Sequence, residues 1–201
     1  MKKYIILIPI YNDREALTKL IDDINTETKG LGSEVSIIVI NDSSSQQISD
    51  NYQNIENISS IEIINMKENR GHTRCIASGL KYIYEKKEFD HVMPMDGDGE
   101  DRPEEIKNFI QLAEQSKDKT IVGERVKRSE SLFFKSCYQF HKFLTLVFTG
   151  QSIKFGNFTC LSKATIEKML NEKATWSCLL YTSPSPRDRT RSRMPSSACK
   201  K

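Results

Sequence analysis

The residues best suited to chemistry stand together in one short run, Asp96-Gly-Asp-Gly-Glu-Asp101, directly after the apolar segment 92–95. Two carboxylates about 4 Å apart repel each other by roughly 4 kcal/mol at an effective dielectric constant of about 20. A cluster this dense therefore either spreads into water or is neutralised. Because a hard cation with oxygen ligands would neutralise it, the run predicts a site for a divalent metal ion.

A purely structural interpretation of the same residues is also open. An acidic turn before a helix is favourable in its own right, since Glu104 and Glu105 would lie near the positive end of that helix. Asp42 could likewise be a helix N-cap, the common role of aspartate before a serine-rich turn. The position of these residues in the fold favours binding over the structural interpretation.

Apolar runs and helical intervals alternate along the chain. Strands are predicted at 4–8, 35–40, 61–64, 92–95 and 120–124, and the apolar residues after the first, third and fourth strands recur at helical spacing. Asn12 and Glu15 have the spacing of a capping box, and Pro103 suits the first turn of a helix. The pattern predicts an α/β fold, a Rossmann-like and mostly parallel sheet flanked by helices.

In such sheets ligands bind beyond the carboxyl ends of the strands. Three polar clusters follow predicted strand ends: Tyr11-Asn12, Asn41-Asp42 and the acidic run from Asp96. We therefore expect them to meet at one edge of the sheet and to form one binding site.

The chain from Cys178 onward does not resemble folded protein. Pro, Ser and Arg dominate it, and it resembles the conceptual translation of a sequencing-library adapter. We expect residues 178–201 to be a disordered, non-native tail after one domain, 1–177, that is truncated at its C-terminal end; a natural basic tail is the alternative. The tail carries six of 30 Lys and Arg residues and one of 27 Asp and Glu residues, so the remainder has a net charge of −2. The overall charge of +3 is thus no evidence for nucleic-acid binding.

The segment 132–148 is apolar and aromatic, and its charged residues, Lys135 and Lys142, are basic. It predicts a helix that is either buried or in peripheral contact with a membrane surface. We see no signal peptide and no run of roughly 20 apolar residues. The expected location is cytoplasmic, either free or at the cytoplasmic face of a membrane.

Four motifs in order resemble glycosyltransferase family 2, the inverting group with the GT-A fold, over about residues 3–170. They are Pro9-Ile-Tyr-Asn12, Ile40-Asn-Asp-Ser-Ser44, Asn69-Arg-Gly71 and Met95-Asp-Gly-Asp-Gly-Glu-Asp-Arg-Pro-Glu104. The last resembles most the branch that includes polyprenyl-phosphate sugar transferases.

The resemblance implies a role for each candidate site residue. Asp96 and Asp98 match the DxD pair that meets the donor's sugar and its metal-bound diphosphate, and Glu100 stands where relatives place a further metal ligand. Asp42 matches the carboxylate that accepts hydrogen bonds from the donor's base. The others divide into residues of the nucleotide pocket, Pro9, Tyr11, Glu15, Asn69 and Gly71, and basic residues near the phosphates, Arg125 and Arg128.

The chemistry fits these residue types. A nucleotide-diphosphate leaving group gains negative charge as the anomeric bond breaks, and Mg²⁺ or Mn²⁺ at Asp96, Asp98 and Glu100 would stabilise that charge. Arg125 or Arg128 would add to this stabilisation. The candidate catalytic residues are therefore the two aspartates and the two arginines.

No acidic residue in a matching motif between 129 and 177 suggests a catalytic base. Either it lies outside this chain or none is needed, because a phosphate acceptor is already anionic. We therefore expect a metal-dependent transferase that moves sugar from a UDP- or GDP-sugar to polyprenyl phosphate or a cell-envelope glycan. The alternatives are a noncatalytic nucleotide-binding fragment and a sugar nucleotidyltransferase, although the latter would need a Gly-rich basic loop where Tyr11-Asn-Asp13 stands.

Overall fold

A computed structural model describes residues 1–48, 52, 55–99, 101–116, 119–124, 158–172 and 189–193. Within these ranges lie seven strands and four helices. The strands are β1 (Lys3–Ile10), β2 (Glu34–Asn41), β3 (Ser60–Asn65), β4 (His91–Pro94), β5 (Thr120–Glu124), β6 (Thr159–Ser162) and β7 (Arg189–Arg193). The helices are α1 (Arg14–Glu27), α2 (His72–Lys86), α3 (Ile106–Gln115) and α4 (Lys163–Asn171), and a 3₁₀ turn, Pro103–Glu105, leads into α3.

The strands form one mostly parallel sheet in the order β3-β2-β1-β4-β6-β5-β7. The four strands β1 to β4 run parallel to their neighbours among themselves, whereas β6 lies antiparallel to both β4 and β5. This architecture confirms the predicted α/β fold, and all five predicted strands are present. It also brings the carboxyl ends of β1 to β4 to the same edge.

Helices cover both faces of the sheet because each presents one apolar side. The buried residues of α1 and α3 belong to one core cluster, together with Ile6, Ile8 and Met93 of the strands. Most of the buried residues of α2, and those of α4, belong to a second cluster on the other face. A Cβ added at Gly79 of α2 would lie 2.5 Å from Leu7 Cδ1, so glycine allows this helix to pack closely on β1.

Two elements, β6 and α4, were not predicted from the sequence. β6 has only four residues, and Thr159 and Ser162 conceal the apolar pattern. In the structure, Thr120 Oγ1 of β5 donates to the hydroxyl oxygen of Ser162 at 3.4 Å and accepts from the main-chain N–H of Ser162 at 3.1 Å. Burial of hydroxyl groups between two strands depends on this partner from β5, which no local pattern shows.

β7 lies within the segment 178–201, for which the sequence predicts a disordered tail, and that expectation stays a prediction. The residues of β7 pair in parallel with β5, from Thr120 opposite Arg189 to Glu124 opposite Arg193. Strand addition at a sheet edge uses main-chain groups, so it needs no apolar alternation in the added segment. The non-native origin of the tail and the domain boundary at 177 stay predictions.

No helix in the described ranges is long and apolar enough to cross a membrane. The segment 132–148, predicted to be buried or to lie on a membrane, falls outside the described residues.

Candidate functional site

The candidate site lies at the edge of the sheet where β1, β2, β3 and β4 end. The loops that follow these strands carry the polar clusters predicted from the sequence, and the structure joins them by specific contacts.

Asp42, which follows β2, links that strand to the start of α2. It is 3% exposed, and its Oδ1 and Oδ2 accept hydrogen bonds from the main-chain N–H groups of Arg70 and Gly71, each at 2.8 Å. Gly71 is the N-cap of α2 with a φ of 83°, a conformation that favours glycine. Asp42 therefore organises the turn that contains Asn69, Arg70 and Gly71, which the sequence did not show.

The loops after β1 and β2 hold each other through a reciprocal pair of contacts. The main-chain N–H of Asn12 donates to Ser44 Oγ at 2.9 Å. In return, the main-chain N–H and the hydroxyl of Ser45 donate to Asn12 Oδ1 at 2.8 and 3.0 Å. Asn12 and Ser43 both adopt positive φ values, 53° and 59°. Such backbone conformations in non-glycine residues persist where the surroundings determine them and cluster at functional sites.

The predicted capping box at Asn12 and Glu15 is wrong by one residue. The N-cap of α1 is Asp13, whose carboxylate accepts from the main-chain N–H of Ala16 at 3.1 Å. Asn12 is instead committed to Ser45, a partner 33 positions away in the sequence. Glu15 is exposed in the first turn of α1.

The acidic run forms a loop that is seated against the end of β1. Asp96 is partly exposed, Asp98 is exposed and Gly97 is buried between them. A Cβ at Gly97 would lie 2.8 Å from the carbonyl oxygen of Pro9 and 3.1 Å from Ile10 Cδ1. Only glycine fits this contact without a shift of the loop, because one of the neighbours is main chain.

Asp101 does not cap the 3₁₀ turn that follows it. Its side chain is buried, and Oδ2 accepts from the main-chain N–H of Asp96 at 2.9 Å. The N-cap of the 3₁₀ turn is Arg102, without a side-chain capping bond. The carboxylate of Asp101 thus closes the acidic loop on itself.

α2 also reaches the acidic loop through its first residue. Nε2 of His72 lies 3.3 Å from Oδ1 of Asp96, and the two side chains are 54% and 24% exposed. The sequence alone predicted no separate role for His72. Its place directly after the Asn69-Arg-Gly71 motif is the signal that could have drawn attention to it.

An open depression of about 630 Å³ lies beside the loops that follow β1 and β2. It is lined by Asn12, Asp13, Arg14, Glu15, Gln46 and Gln47. Tyr11 lies at the same edge with 53% of its surface exposed, whereas Pro9 is buried in β1, opposite Ile40. Asn69 and Gly71 are exposed. The predicted residues Glu100, Arg125 and Arg128 fall outside the described residues, so their roles stay predictions.

The described donor set suits a hard divalent cation. Asp96 and Asp98 offer carboxylate oxygens from a loop with solvent access, and Mg²⁺ in nucleotide sites is held by one or two carboxylates together with phosphates. Within the described ranges, no group of three or more His, Cys, Asp or Glu residues is arranged to hold a metal ion. A metal here would therefore take its remaining ligands from a bound diphosphate, from water or from Glu100.

Cys75 lies beneath the site, and its environment makes it unreactive. Its Sγ donates to the carbonyl oxygen of Ile40 at 3.3 Å. Burial, followed by the nearby charge of Asp42, raises the pKa of the thiol to about 12. A neutral, buried thiol packs as a small apolar group and does not act as a nucleophile.

Comparison with known families gives this site its context. Residues 5–176 match the family described as Glycosyl transferase family 2. The chain belongs to glycosyltransferase family 2. The match covers all the described candidate residues and ends shortly before the Pro-, Ser- and Arg-rich segment that begins at Cys178.

Curated relatives of this glycosyltransferase domain include an undecaprenyl-phosphate 4-deoxy-4-formamido-L-arabinose transferase of Yersinia pestis (strain Pestoides F). It is 30% identical over 185 residues, which cover 88% of this chain and 54% of the relative. The chain therefore spans about half the length of the curated relatives it matches.

Solved structures show the same fold at low sequence identity. Glucosyl-3-phosphoglycerate synthase from Mycobacterium tuberculosis, in complex with UDP, matches with a TM-score of 0.58 at 11% identity, over 96% of this chain and 70% of that one. A mannosyltransferase from Pyrobaculum calidifontis, in complex with GDP-Man and Mn²⁺, matches with a TM-score of 0.54 at 13% identity, over 83% and 46%. The fold is therefore that of the GT-A glycosyltransferases.

Proposed function

We propose that this domain transfers a sugar from a UDP- or GDP-sugar to polyprenyl phosphate and that it uses Mg²⁺ or Mn²⁺. The observation that supports the proposal is that the loop of Asp42 and the loop of Asp96 and Asp98 are connected at one edge of the sheet. Asp42 organises the start of α2, and His72 at that start contacts Asp96 of the acidic loop. A nucleotide and its diphosphate could be held on either side of this connection.

The base side would be formed by the loops after β1 and β2. A carboxylate has about four positions for accepted hydrogen bonds, so Asp42 retains acceptor capacity beyond its two main-chain bonds. The exposed ring of Tyr11 and the polar depression at Glu15 lie beside these loops. Together they supply the hydrogen bonds and apolar surface that a nucleoside needs.

The diphosphate side would be formed by the acidic loop. Asp96 and Asp98 would hold the divalent ion, which as a Lewis acid would stabilise the charge of the departing nucleotide diphosphate. Arg125 and Arg128, at positions beyond β5, would add positive charge. Gly97 allows the loop to lie directly against β1, which sets the position of both carboxylates.

Support for the acceptor comes from the named relatives, which are undecaprenyl-phosphate sugar transferases. A phosphate oxygen is already anionic, so transfer to it needs no general base. The neighbouring structures that hold UDP or GDP-Man with Mn²⁺ support a nucleotide donor and a divalent ion.

The proposal is tested by calorimetric titration of UDP and of GDP, with and without Mn²⁺. Wild type should bind one of them more tightly with Mn²⁺, and Asp98→Ala should lose this enhancement, while the exposed helix variant Asp23→Ala should keep it. If Mn²⁺ and Asp98→Ala both leave nucleotide affinity unchanged, the metal role is wrong.

The acceptor is tested separately, with a panel of radiolabelled UDP- and GDP-sugars and either undecaprenyl phosphate in detergent or soluble glycans. Label should enter the lipid fraction. Nucleotide binding without lipid-linked product would contradict the polyprenyl acceptor, and binding without transfer to any acceptor would support the noncatalytic alternative.

A further inference from the structure

Asp101 is a buried carboxylate at the candidate site with no assigned role. It is 5% exposed, although five other acidic residues stand within five positions of it. Burying a carboxylate close to other carboxylates is unfavourable unless hydrogen bonds compensate for the lost hydration. The burial of Asp101 therefore depends on the groups that its carboxylate contacts.

One compensating contact lies inside the acidic loop. Asp101 Oδ2 accepts from the main-chain N–H of Asp96 at 2.9 Å, five positions earlier in the chain. Gly99 allows the intervening chain to turn, with a φ of 78°. The bond thus joins the two ends of the segment that contains both candidate metal ligands.

Two further contacts anchor the same segment to β1. The main-chain N–H of Met95 donates to the carbonyl oxygen of Leu7 at 2.9 Å. Gly97 lies so close to the carbonyl oxygen of Pro9 that no Cβ fits between them. These contacts hold the start and middle of the loop, and Asp101 holds its far end.

We propose that Asp101 is a positioning residue, whose carboxylate closes the loop and so presets Asp96 and Asp98 for the metal-bound diphosphate. This inference rests on the proposed function. Groups that orient metal ligands typically change metal affinity by 10–100-fold when they are removed. Asp101 would act through its hydrogen bond to Asp96 N–H and not as a ligand.

Two conservative variants separate the hydrogen bond from the charge. Asp101→Asn keeps an acceptor oxygen at the same place and removes the charge. Asp101→Glu keeps the charge and displaces the acceptor by one methylene group. Glu104→Gln is the matched control, because it removes a charge from an exposed residue three positions further along.

The measurements are Mn²⁺ affinity in the presence of UDP or GDP, by electron paramagnetic resonance of free Mn²⁺, and amide hydrogen exchange of Asp96 by NMR. They are made on the full 201-residue chain. We expect Asp101→Ala and Asp101→Glu to bind Mn²⁺ roughly 10-fold more weakly and to exchange the Asp96 amide faster. Asp101→Asn and Glu104→Gln should behave as wild type. If Asp101→Ala fails to fold, the Asn and Glu variants decide.

Each contrary result has a distinct meaning. Unchanged Mn²⁺ affinity in Asp101→Glu, or an equally weak Asp101→Asn, would overturn the positioning role and leave the proposed function intact. Absence of nucleotide-dependent Mn²⁺ binding in wild type would overturn both.

Discussion

Replacement of Asp42 with asparagine should destabilise the fold and loosen the start of α2. Asparagine has nearly the same volume and keeps one acceptor oxygen, but its NH₂ group would face the second main-chain N–H. One of the two 2.8 Å bonds, from Arg70 or Gly71, is therefore lost in a side chain that is 3% exposed. Hydrogen bonds to charged groups contribute about 1.5–3 kcal/mol each.

We therefore expect the free energy of unfolding to fall by about 2–3 kcal/mol. For a chain of this length the corresponding decrease in melting temperature is roughly 4–12 °C. Asp42→Ala removes both acceptors and should lose more than Asp42→Asn. Amide exchange at Arg70 and Gly71 should become faster in both variants.

The assay is urea denaturation followed by circular dichroism, with thermal melting as a second measure. Asp13→Asn is the matched control, because Asp13 makes a single N-cap bond to Ala16 and asparagine is an equally good N-cap. If Asp42→Asn were as stable as Asp13→Asn, with unchanged exchange at Arg70 and Gly71, the carboxylate would not organise this turn and our reasoning would be refuted.

Three other perturbations test the surrounding structure. Gly97→Ala should destabilise the protein by about 1–3 kcal/mol in urea denaturation, because the added Cβ would lie 2.8 Å from a main-chain oxygen. The control Gly32→Ala should be nearly neutral, because a Cβ there meets nothing within 4 Å. Equal stabilities of the two variants would contradict the close contact at Gly97. Burial raises the pKa of both Cys75 and Cys160, so the unfolded chain releases thiol protons that the folded chain retains, and stability should fall as pH rises above about 9. The free energy of unfolding, measured by denaturation at pH 8 and pH 10, should decrease less in a variant with alanine at both cysteines. An equal decrease in that variant would show that the thiols do not cause the pH dependence. His72→Ala should change the unfolding free energy by less than about 1 kcal/mol, because the His72 side chain is 54% exposed and water screens its contact with Asp96. A larger loss in the same assay would contradict this expectation.

The main elements of the fold could be predicted because their signals are local. The runs at 4–8 and 35–40 are apolar at every position or nearly so, as expected for strands covered on both faces. The apolar faces of α1 and α3 follow from spacing alone. The residues at that spacing are buried: Leu17, Leu20, Ile21 and Ile24 in α1, and Ile106, Phe109, Ile110 and Ala113 in α3. β6 was not predicted because it is short and half of its residues carry hydroxyl groups.

That the candidate loops share one edge of the sheet was predictable as well, since parallel strands end at a common edge whatever their order. What individual residues do there was less predictable. Asn12 bonds to Ser45 rather than capping α1, and Asp101 bonds back to Asp96 rather than opening the 3₁₀ turn. The side chain of an aspartate or asparagine can form several alternative hydrogen bonds of similar strength to nearby main-chain groups. The backbone conformation determines which of them forms.

The sequence by itself determined the α/β alternation, the family and the loops that carry the acidic residues, because these depend on residue type and spacing. Only the tertiary structure decided which groups meet. Asp42 accepts hydrogen bonds from Arg70 and Gly71, which lie 28 and 29 positions away in the sequence. Gly97, which follows β4, lies against Pro9 of the neighbouring strand β1. Such contacts arise from the order and register of the strands, which long-range packing sets. The acidic run is therefore a feature of the sequence, but its shape as a closed loop held by Asp101 against β1 is a property of the fold.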